Sequence, residues 1–111
     1  MQPITRDELK RMNETQHEDF VLINVLPQEE FKKAHIRTSV NIPANNEQFV
    51  EHVEEAAGSK ERKVVVYCAS GMRSLLAAVT LQEMGFTNVK SMAGGFAAWK
   101  AEGREVAGES W

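Results

Sequence analysis

Short apolar runs alternate with amphipathic stretches along this chain, and the alternation predicts a succession of strands and helices. Phe20–Val25 and Lys63–Tyr67 are nearly unbroken apolar runs, a pattern typical of strands that are buried on both faces. Ser39–Ile42, which Pro43 stops, and Val89–Met92 have the same character over shorter lengths. These runs are therefore predicted to be strands.

The stretches between the strands carry helix signals. Thr5 and Glu8 have the spacing of a capping box, which favours a helix start at that point. Glycines that directly follow later stretches predict helix ends. Pro27 at the first helical position predicts a short helix over Gln28–Lys33. The helices that end before a glycine are predicted from a cap at Asn45 or Asn46 to about Ala57, over Arg73–Met84 and over Phe96–Glu102. Their predicted core-facing residues are Phe49, Val53, Leu75, Leu76, Val79, Leu81, Phe96 and Trp99.

Strands separated by helices indicate an α/β domain with a mainly parallel sheet. The chain has 111 residues, which fits a single domain over 1–111 and leaves no room for a second core. Ligands of such open sheets bind beyond the carboxyl ends of the strands. The residues after Tyr67 are therefore the first place to look for chemistry, and Cys68 is the first of them.

Composition narrows the possible functions. The formal net charge of −3 argues against nucleic acid as the main partner, because phosphate binding needs a basic face. Cys68 is the only cysteine, which excludes an intramolecular disulfide and a zinc site built from several thiolates. The first residues lack the apolar core of a secretory signal, and no stretch approaches the ~18–20 apolar residues of a membrane span. The cytoplasm is therefore the expected location.

The segment Cys68–Arg73 leads from the strongest predicted strand directly into a helix. Free backbone N–H groups at a helix start attract anions and stabilise a thiolate, which lowers the pKa of a cysteine placed there. Gly71 permits a positive φ that lets successive N–H groups converge, and Arg73 adds a permanent cation suited to oxyanions. The sequence therefore predicts a small anion cradle with the Cys68 sulfur at its floor.

Plainer interpretations of these residues stand beside this one. A free cysteine at the end of a buried strand is often only a packing residue, but Gly71, Arg73 and the helix start favour a reactive thiol. Ser70 and Ser74 can donate hydrogen bonds to bound sulfur or to an oxyanion, and Ser74 can equally satisfy a backbone group near the helix start. Structural or surface positions are expected for His35, His17, His52 and the terminal Trp111.

Cys68–Ser74 resembles the Cys-x-x-Gly-x-Arg-Ser active-site loop of the rhodanese homology domain family. Further segments resemble the family's other signatures in the same order, so that the match runs from about Ile4 to Val106. These segments are Glu30-Phe31, His35-Ile36, Val40–Pro43, Gly85–Val89, Gly94-Gly95 and Ala98-Trp99. The resemblance implies a doubly wound α/β fold, with helices on both faces of a roughly five-stranded, mainly parallel sheet.

The resemblance also implies a mechanism. The Cys68 thiolate takes sulfane sulfur from thiosulfate or a persulfide donor, and passes it from a persulfide to cyanide or a thiol. No metal or organic cofactor, nucleic acid or membrane is implied; the partners are small-molecule donors and acceptors or a sulfur-relay protein. The loop residues implied to bind the donor are Ala69, Ser70, Gly71, Met72 and Arg73.

Loop length separates two chemistries of this superfamily. Four residues lie between Cys68 and Arg73, whereas the related phosphatases and arsenate reductases have a loop one residue longer. The shorter ring of amides favours sulfur transfer over phosphoryl transfer.

Other positions depart from the family pattern. Asn24–Leu26 stands where the family usually has Asp-x-Arg, so an expected structural ion pair is absent. Ala34 stands where the family usually has a glycine, and Arg37–Ser39 stands where it usually has Pro-Gly-Ala. The apolar side chain of Met72 does not especially favour binding of free thiosulfate.

Three functions are compatible with this pattern. The first is an enzyme that turns over a small sulfur donor, and the second is a persulfide carrier that works with a partner protein. The third is a regulatory binding domain without catalysis, against which the intact Cys68 and Arg73 both count. Persulfide transfer that depends on a partner, without thiosulfate turnover, would distinguish the second from the first.

Overall fold

The computed structural model describes residues 3–15 and 19–108, so the predictions for His17 and Trp111 lie outside the described residues. Helices and strands alternate in the predicted order. They are α1 Arg6–Thr15, β1 Phe20–Asn24, α2 Gln28–Lys33, β2 Val40–Asn41, α3 Phe49–Ala57, β3 Lys63–Tyr67, α4 Met72–Glu83, β4 Val89–Ser91 and α5 Gly95–Ala101. Within the described ranges, no helix is long and apolar enough to cross a membrane.

The start of α1 agrees with the prediction, whereas the start of α3 differs from it. At the start of α1, Thr5 Oγ1 accepts the Glu8 N–H at 3.1 Å, which is the predicted capping contact. Helix α3 begins at Phe49 rather than at Asn45 or Asn46. Asn46 Oδ1 accepts the Gln48 N–H at 2.7 Å, so this side chain stabilises a turn before the helix instead of capping it.

The sheet has four parallel strands in the order β2-β1-β3-β4, one fewer than the roughly five predicted. Ile4 extends the sheet beyond β4 by a single parallel bridge to Met92, which is too short to count as a strand. Strand β3 is central and pairs with β1 and β4. Because the strands are parallel, their carboxyl ends meet at one edge, and the loop after Tyr67 lies at that edge.

The side chains of β3 alternate between two apolar layers. Val64 and Val66 pack with residues of α3 and α4, whereas Val65 and Tyr67 pack with residues of α1 and α5. All four are fully buried, which explains why this strand is apolar without interruption. The predicted core residues that fill the two layers are Phe49, Val53, Leu81, Phe96 and Trp99.

The inward face of α4 was predicted wrongly. Leu75, Leu76 and Val79 are 42%, 67% and 40% exposed, although their apolar character predicts positions in the core. Small side chains face the sheet instead, so the helix lies close to β3 and β4 and its larger side chains remain at the surface. The buried residues of this helix are Ser74, Ala77, Ala78 and Leu81.

A neutral hydrogen-bond network occupies the position where the resemblance leads us to expect an ion pair. Buried Asn24 donates from Nδ2 to the Tyr67 hydroxyl at 3.0 Å and accepts the Leu26 N–H at 2.9 Å. The Tyr67 hydroxyl also accepts the Ile36 N–H at 2.9 Å and lies 2.8 Å from Ser39 Oγ. An aspartate here without its arginine would be a buried unpaired charge, and an asparagine avoids that penalty.

Thr38 is the only described residue other than glycine with a positive φ, which is 79°. A β-branched residue in this region carries strain of about 1–3 kcal/mol. Its hydroxyl donates to Asn13 Oδ1 at 2.6 Å, and this hydrogen bond offsets about 1 kcal/mol of that strain.

Thr38→Gly is expected to be more stable than Thr38→Ala by about 1 kcal/mol. Both variants lose the hydrogen bond to Asn13, but only alanine keeps a Cβ at positive φ. Urea denaturation measures the two free energies of unfolding. Equal stabilities would show that the backbone at this position relaxes without strain.

Candidate active site

Cys68 lies at the carboxyl end of β3, and a tight loop carries the chain into α4. Gly71 has a φ of 99° and provides the N-cap, a conformation that glycine adopts without strain. Helix α4 begins at Met72, one residue before the predicted start. The chain therefore reverses within three residues of Cys68, and this brings the first N–H groups of the helix back to the sulfur.

Two N–H donors and one hydroxyl group surround the Cys68 sulfur. The Gly71 and Ser74 N–H groups donate to Sγ at N···S distances of 3.1 and 3.3 Å. The Ser74 Oγ lies 3.5 Å from Sγ and donates to the Gly71 carbonyl oxygen at 3.2 Å. Ser74 thus contacts both the sulfur and the backbone, the two roles that the sequence left open.

Hydrogen bonds outweigh burial in setting the pKa of Cys68. The residue is 1% exposed, and this burial raises the pKa because it penalises the charged thiolate. Hydrogen bonds from the Ser74 hydroxyl and N–H, and from the Gly71 and Ser70 N–H groups, lower it further than burial raises it. The net result is a pKa below the ordinary value of a thiol, so the site favours the nucleophilic thiolate.

The N-terminus of α5 holds the loop through two of its carbonyl oxygens. The Phe96 N–H donates to the Cys68 carbonyl oxygen at 2.7 Å, and the Ala97 N–H donates to that of Ala69 at 2.9 Å. Gly95 is buried at a φ of 69°, and a Cβ built on it would lie 2.4 Å from the Ala69 carbonyl oxygen. The Cys68 and Ala69 carbonyls therefore face α5, whereas the Gly71 and Ser74 N–H groups face the sulfur.

The predicted donor-binding residues form a rim around the buried sulfur: Ala69, Ser70, Met72 and Arg73 are exposed and Gly71 is half-buried. A surface cavity of about 420 Å³ on one side of the rim includes Arg73. A second cavity, of about 270 Å³, includes Ala69 together with Lys33 and Lys100. The first cavity thus brings the cationic Arg73 to the loop, whereas in the second Glu30 Oε1 lies 4.0 Å from Lys33 Nζ and offsets part of the positive charge there.

Other candidates occupy structural positions. His35 Nδ1 lies 2.7 Å from the Phe31 carbonyl oxygen, and the two rings stack with centroids 3.8 Å apart. The described hydrogen-bond partners of Cys68 Sγ come from the loop and α4, and no histidine of the described residues is among them.

Two residues of the site were not identified from the sequence. Gly95 was noted only as part of a glycine pair in a family signature, although a glycine pair at a helix start also indicates close backbone approach. Ser91 Oγ lies 3.1 Å from Ser74 Oγ, and its only signal was a polar residue within the predicted strand Val89–Met92.

Comparison with known proteins identifies relatives of this chain. Residues 5–102 match the family model of the rhodanese-like domain. Over 83 residues the chain is 37% identical to the thiosulfate sulfurtransferase GlpE of Coxiella burnetii, covering 75% of this chain and 74% of that protein. Over 90 residues it is 33% identical to thiosulfate sulfurtransferase 16, chloroplastic, of Arabidopsis thaliana, covering 73% and 74%. The solution structure of the rhodanese-like domain of an Anabaena protein gives a TM-score of 0.85 at 27% identity, covering 98% of this chain and 80% of that one.

Proposed function

Because this chain belongs to the rhodanese-like domain family, we propose that it is a sulfurtransferase in which Cys68 carries sulfane sulfur as a persulfide. The observation that carries the proposal is the set of groups around Cys68 Sγ: the Gly71 and Ser74 N–H groups donate to it at 3.1 and 3.3 Å, and the Ser74 hydroxyl lies 3.5 Å away. These donors favour the thiolate, and the same donors are suited to hold an anionic persulfide.

The proposed reaction consists of two displacements at sulfur. The Cys68 thiolate attacks the outer sulfur of thiosulfate; a new S–S bond forms, the old one breaks, and sulfite leaves with the bonding electron pair. Cyanide or a thiolate acceptor then attacks the outer sulfur of the persulfide, and Cys68 leaves as a thiolate. The electrons balance without an external oxidant, reductant or cofactor. The proposal includes a reducing location such as the cytoplasm, because the thiol must stay reduced between turnovers.

The test is to incubate the reduced protein with thiosulfate alone and measure its intact mass, then add cyanide and follow thiocyanate. A gain of one sulfur atom that disappears on adding cyanide, together with sustained thiocyanate formation, supports the proposal. A phosphate monoester serves as the control substrate, because the loop with four residues between Cys68 and Arg73 is expected to leave it unhydrolysed. Folded, reduced protein that gains no sulfur would contradict the proposal.

Arg73 is proposed to bind the anionic donor, since its guanidinium is exposed at the rim and offers a planar set of donors. Arg73→Gln is expected to raise KM for thiosulfate roughly tenfold, because one charge-assisted contact is lost. Arg73→Lys keeps the charge and should recover part of that loss. Steady-state thiocyanate kinetics measure both variants, and an unchanged KM in Arg73→Gln would remove Arg73 from the donor site.

A second candidate function is a persulfide carrier that exchanges sulfur with a partner protein. An apolar stripe on α4 favours it: Met72, Leu75, Leu76 and Val79 lie at helical spacing and are 69%, 42%, 67% and 40% exposed. The stripe begins in the rim beside Cys68, so a protein that presents its own thiol to Cys68 would cover it. A sulfur adduct that forms without sustained thiocyanate production, and that a protein thiol discharges faster than a small thiol does, would favour this function over small-donor turnover.

A further inference from the structure

Ser74 belongs to a buried chain of hydroxyl groups that leads away from the reactive sulfur. Its Oγ lies 3.5 Å from Cys68 Sγ, 3.2 Å from the Gly71 carbonyl oxygen and 3.1 Å from Ser91 Oγ. Ser74 and Ser91 are 0% and 3% exposed, and Ser91 is the last residue of β4. Ser74 Oγ is the only hydrogen-bond partner of the Ser91 hydroxyl among the described residues. Buried hydroxyls are bound to their surroundings, so the orientation of one constrains the other.

The number of protons that Ser74 can donate explains how the Ser91 hydroxyl affects the Cys68 thiolate. A serine hydroxyl has one proton to donate and two lone pairs to accept with. When Cys68 is a thiol, its S–H donates to Ser74 Oγ, and the Ser74 proton goes to the Gly71 carbonyl oxygen. When Cys68 is a thiolate, the S–H is gone, and the Ser74 proton stabilises the charge only if it turns toward the sulfur. Because the Ser74 proton is committed in either state, to Gly71 or to the sulfur, the contact with Ser91 requires Ser91 Oγ to be the donor, and in the thiolate state it is the only described donor to Ser74 Oγ.

We propose that Ser91 is a positioning residue for the reaction: its buried hydroxyl donates to Ser74 Oγ and thereby turns the Ser74 proton toward the Cys68 thiolate. This inference deepens the proposed function, because it concerns the same nucleophile. The Ser91 hydroxyl is not among the described hydrogen-bond partners of Cys68 Sγ, so it is proposed to act through Ser74. Hydrogen bonds in such a chain polarise one another, which strengthens the bond to the anionic end.

The pH dependence of Cys68 alkylation tests the proposal directly, because iodoacetamide reacts with the thiolate and the chain contains no other cysteine. Ser91→Ala is expected to raise the midpoint of the alkylation profile by about 0.5 to 1 pH unit. A shift of this size is the effect of losing one modest hydrogen bond to the thiolate form. The rate at the high-pH plateau should stay within about twofold of wild type. Ser39→Ala is the matched control: it also removes a buried hydroxyl, but that hydroxyl contacts Tyr67 and Ile36 rather than the loop.

A second pair of variants separates the hydroxyl from the shape of the side chain. Ser91→Thr and Ser91→Val have nearly the same shape, and only threonine retains a hydroxyl. The proposal expects a midpoint close to wild type in Ser91→Thr and a raised midpoint in Ser91→Val. Equal midpoints in this pair, or a shift in Ser39→Ala as large as that in Ser91→Ala, would overturn it.

The same measurements keep this inference distinct from the proposed function. Wild-type protein that gains no sulfur from thiosulfate, while Ser91→Ala still shifts the alkylation midpoint, would leave the positioning role intact and remove the sulfurtransferase function. Wild-type protein that gains sulfur, with the same midpoint in Ser91→Ala, would remove only the positioning role.

Discussion

Cys68→Ser is expected to lower thiosulfate-to-cyanide sulfur transfer by at least about a thousandfold and to abolish the sulfur adduct. A serine hydroxyl in this position is not ionised near neutral pH, and oxygen cannot form the persulfide that links the two half-reactions. Cys68 is the only thiol in the chain, so no other residue can take over its role. The loss should therefore appear in both half-reactions.

Intact-mass analysis and thiocyanate formation measure this prediction in the same samples. Serine is nearly isosteric with cysteine, and its oxygen can accept the Gly71 and Ser74 N–H bonds that now reach Sγ. The fold of the variant is therefore expected to persist, and a far-ultraviolet circular dichroism spectrum checks it. A sulfur adduct on folded Cys68→Ser protein would place the reactive group elsewhere.

The strands and the reactive loop were predictable because their signals are local. The unbroken apolar run Lys63–Tyr67 requires burial on both faces, and the cysteine, glycine and arginine that follow it lie within six positions of one another. Fold class followed from the same alternation of strands and helices, without any knowledge of long-range contacts. The number of strands could not be predicted from local signals, because it depends on how many residues around Ile4 pair with the segment at Met92.

The orientation of α4 was not predictable in the same way. Apolar character alone pointed Leu75, Leu76 and Val79 inward, whereas close packing on the sheet selected the small residues beside them. A helix that carries large apolar residues on one side and alanines on another can bury either side, and its own sequence does not decide between them. Contacts with β3 and β4 therefore decide which side is buried.

The residues that surround the reactive loop, unlike the loop itself, could not be predicted because they come from distant parts of the chain. Ser91 lies on β4 and Gly95 on α5, and each meets the loop only after the sheet has formed. Asn24 and Tyr67 likewise form their hydrogen bond across 43 positions. The residue type at each of these positions therefore did not indicate a role in the site.

Gly95→Ala is the second substitution with a large expected effect. A Cβ at this position would lie 2.4 Å from the Ala69 carbonyl oxygen, and contacts shorter than 3.0 Å essentially do not occur. The backbone of the loop must therefore move away from α5 by at least 0.6 Å, the difference between these two distances. This movement stretches the hydrogen bonds from Phe96 and Ala97 that hold the loop carbonyls. We expect a loss of about 2–4 kcal/mol in the free energy of unfolding.

Gly103→Ala is the matched control, because it separates backbone strain from contact with the loop. Gly103 follows the same helix and has a φ of 74°, close to the 69° of Gly95, but nothing lies within 4 Å of its Cβ position. Its substitution should lower the free energy of unfolding by only about 1 kcal/mol. Urea denaturation of both variants gives the difference that belongs to the loop contact.

Gly95→Ala protein that remains folded should also lose sulfur-transfer activity, because its loop is displaced. The N–H groups of Gly71 and Ser74 donate to Cys68 Sγ while α5 holds the Cys68 and Ala69 carbonyls, so we expect a shift of the loop to withdraw donors from the thiolate. Sulfur transfer is expected to fall by about a hundredfold, the typical effect of misplacing a reactive group by about 1 Å. The midpoint of Cys68 alkylation should rise in Gly95→Ala and stay at the wild-type value in Gly103→Ala. Wild-type activity in folded Gly95→Ala would show that the loop keeps its donors on the sulfur without support from α5.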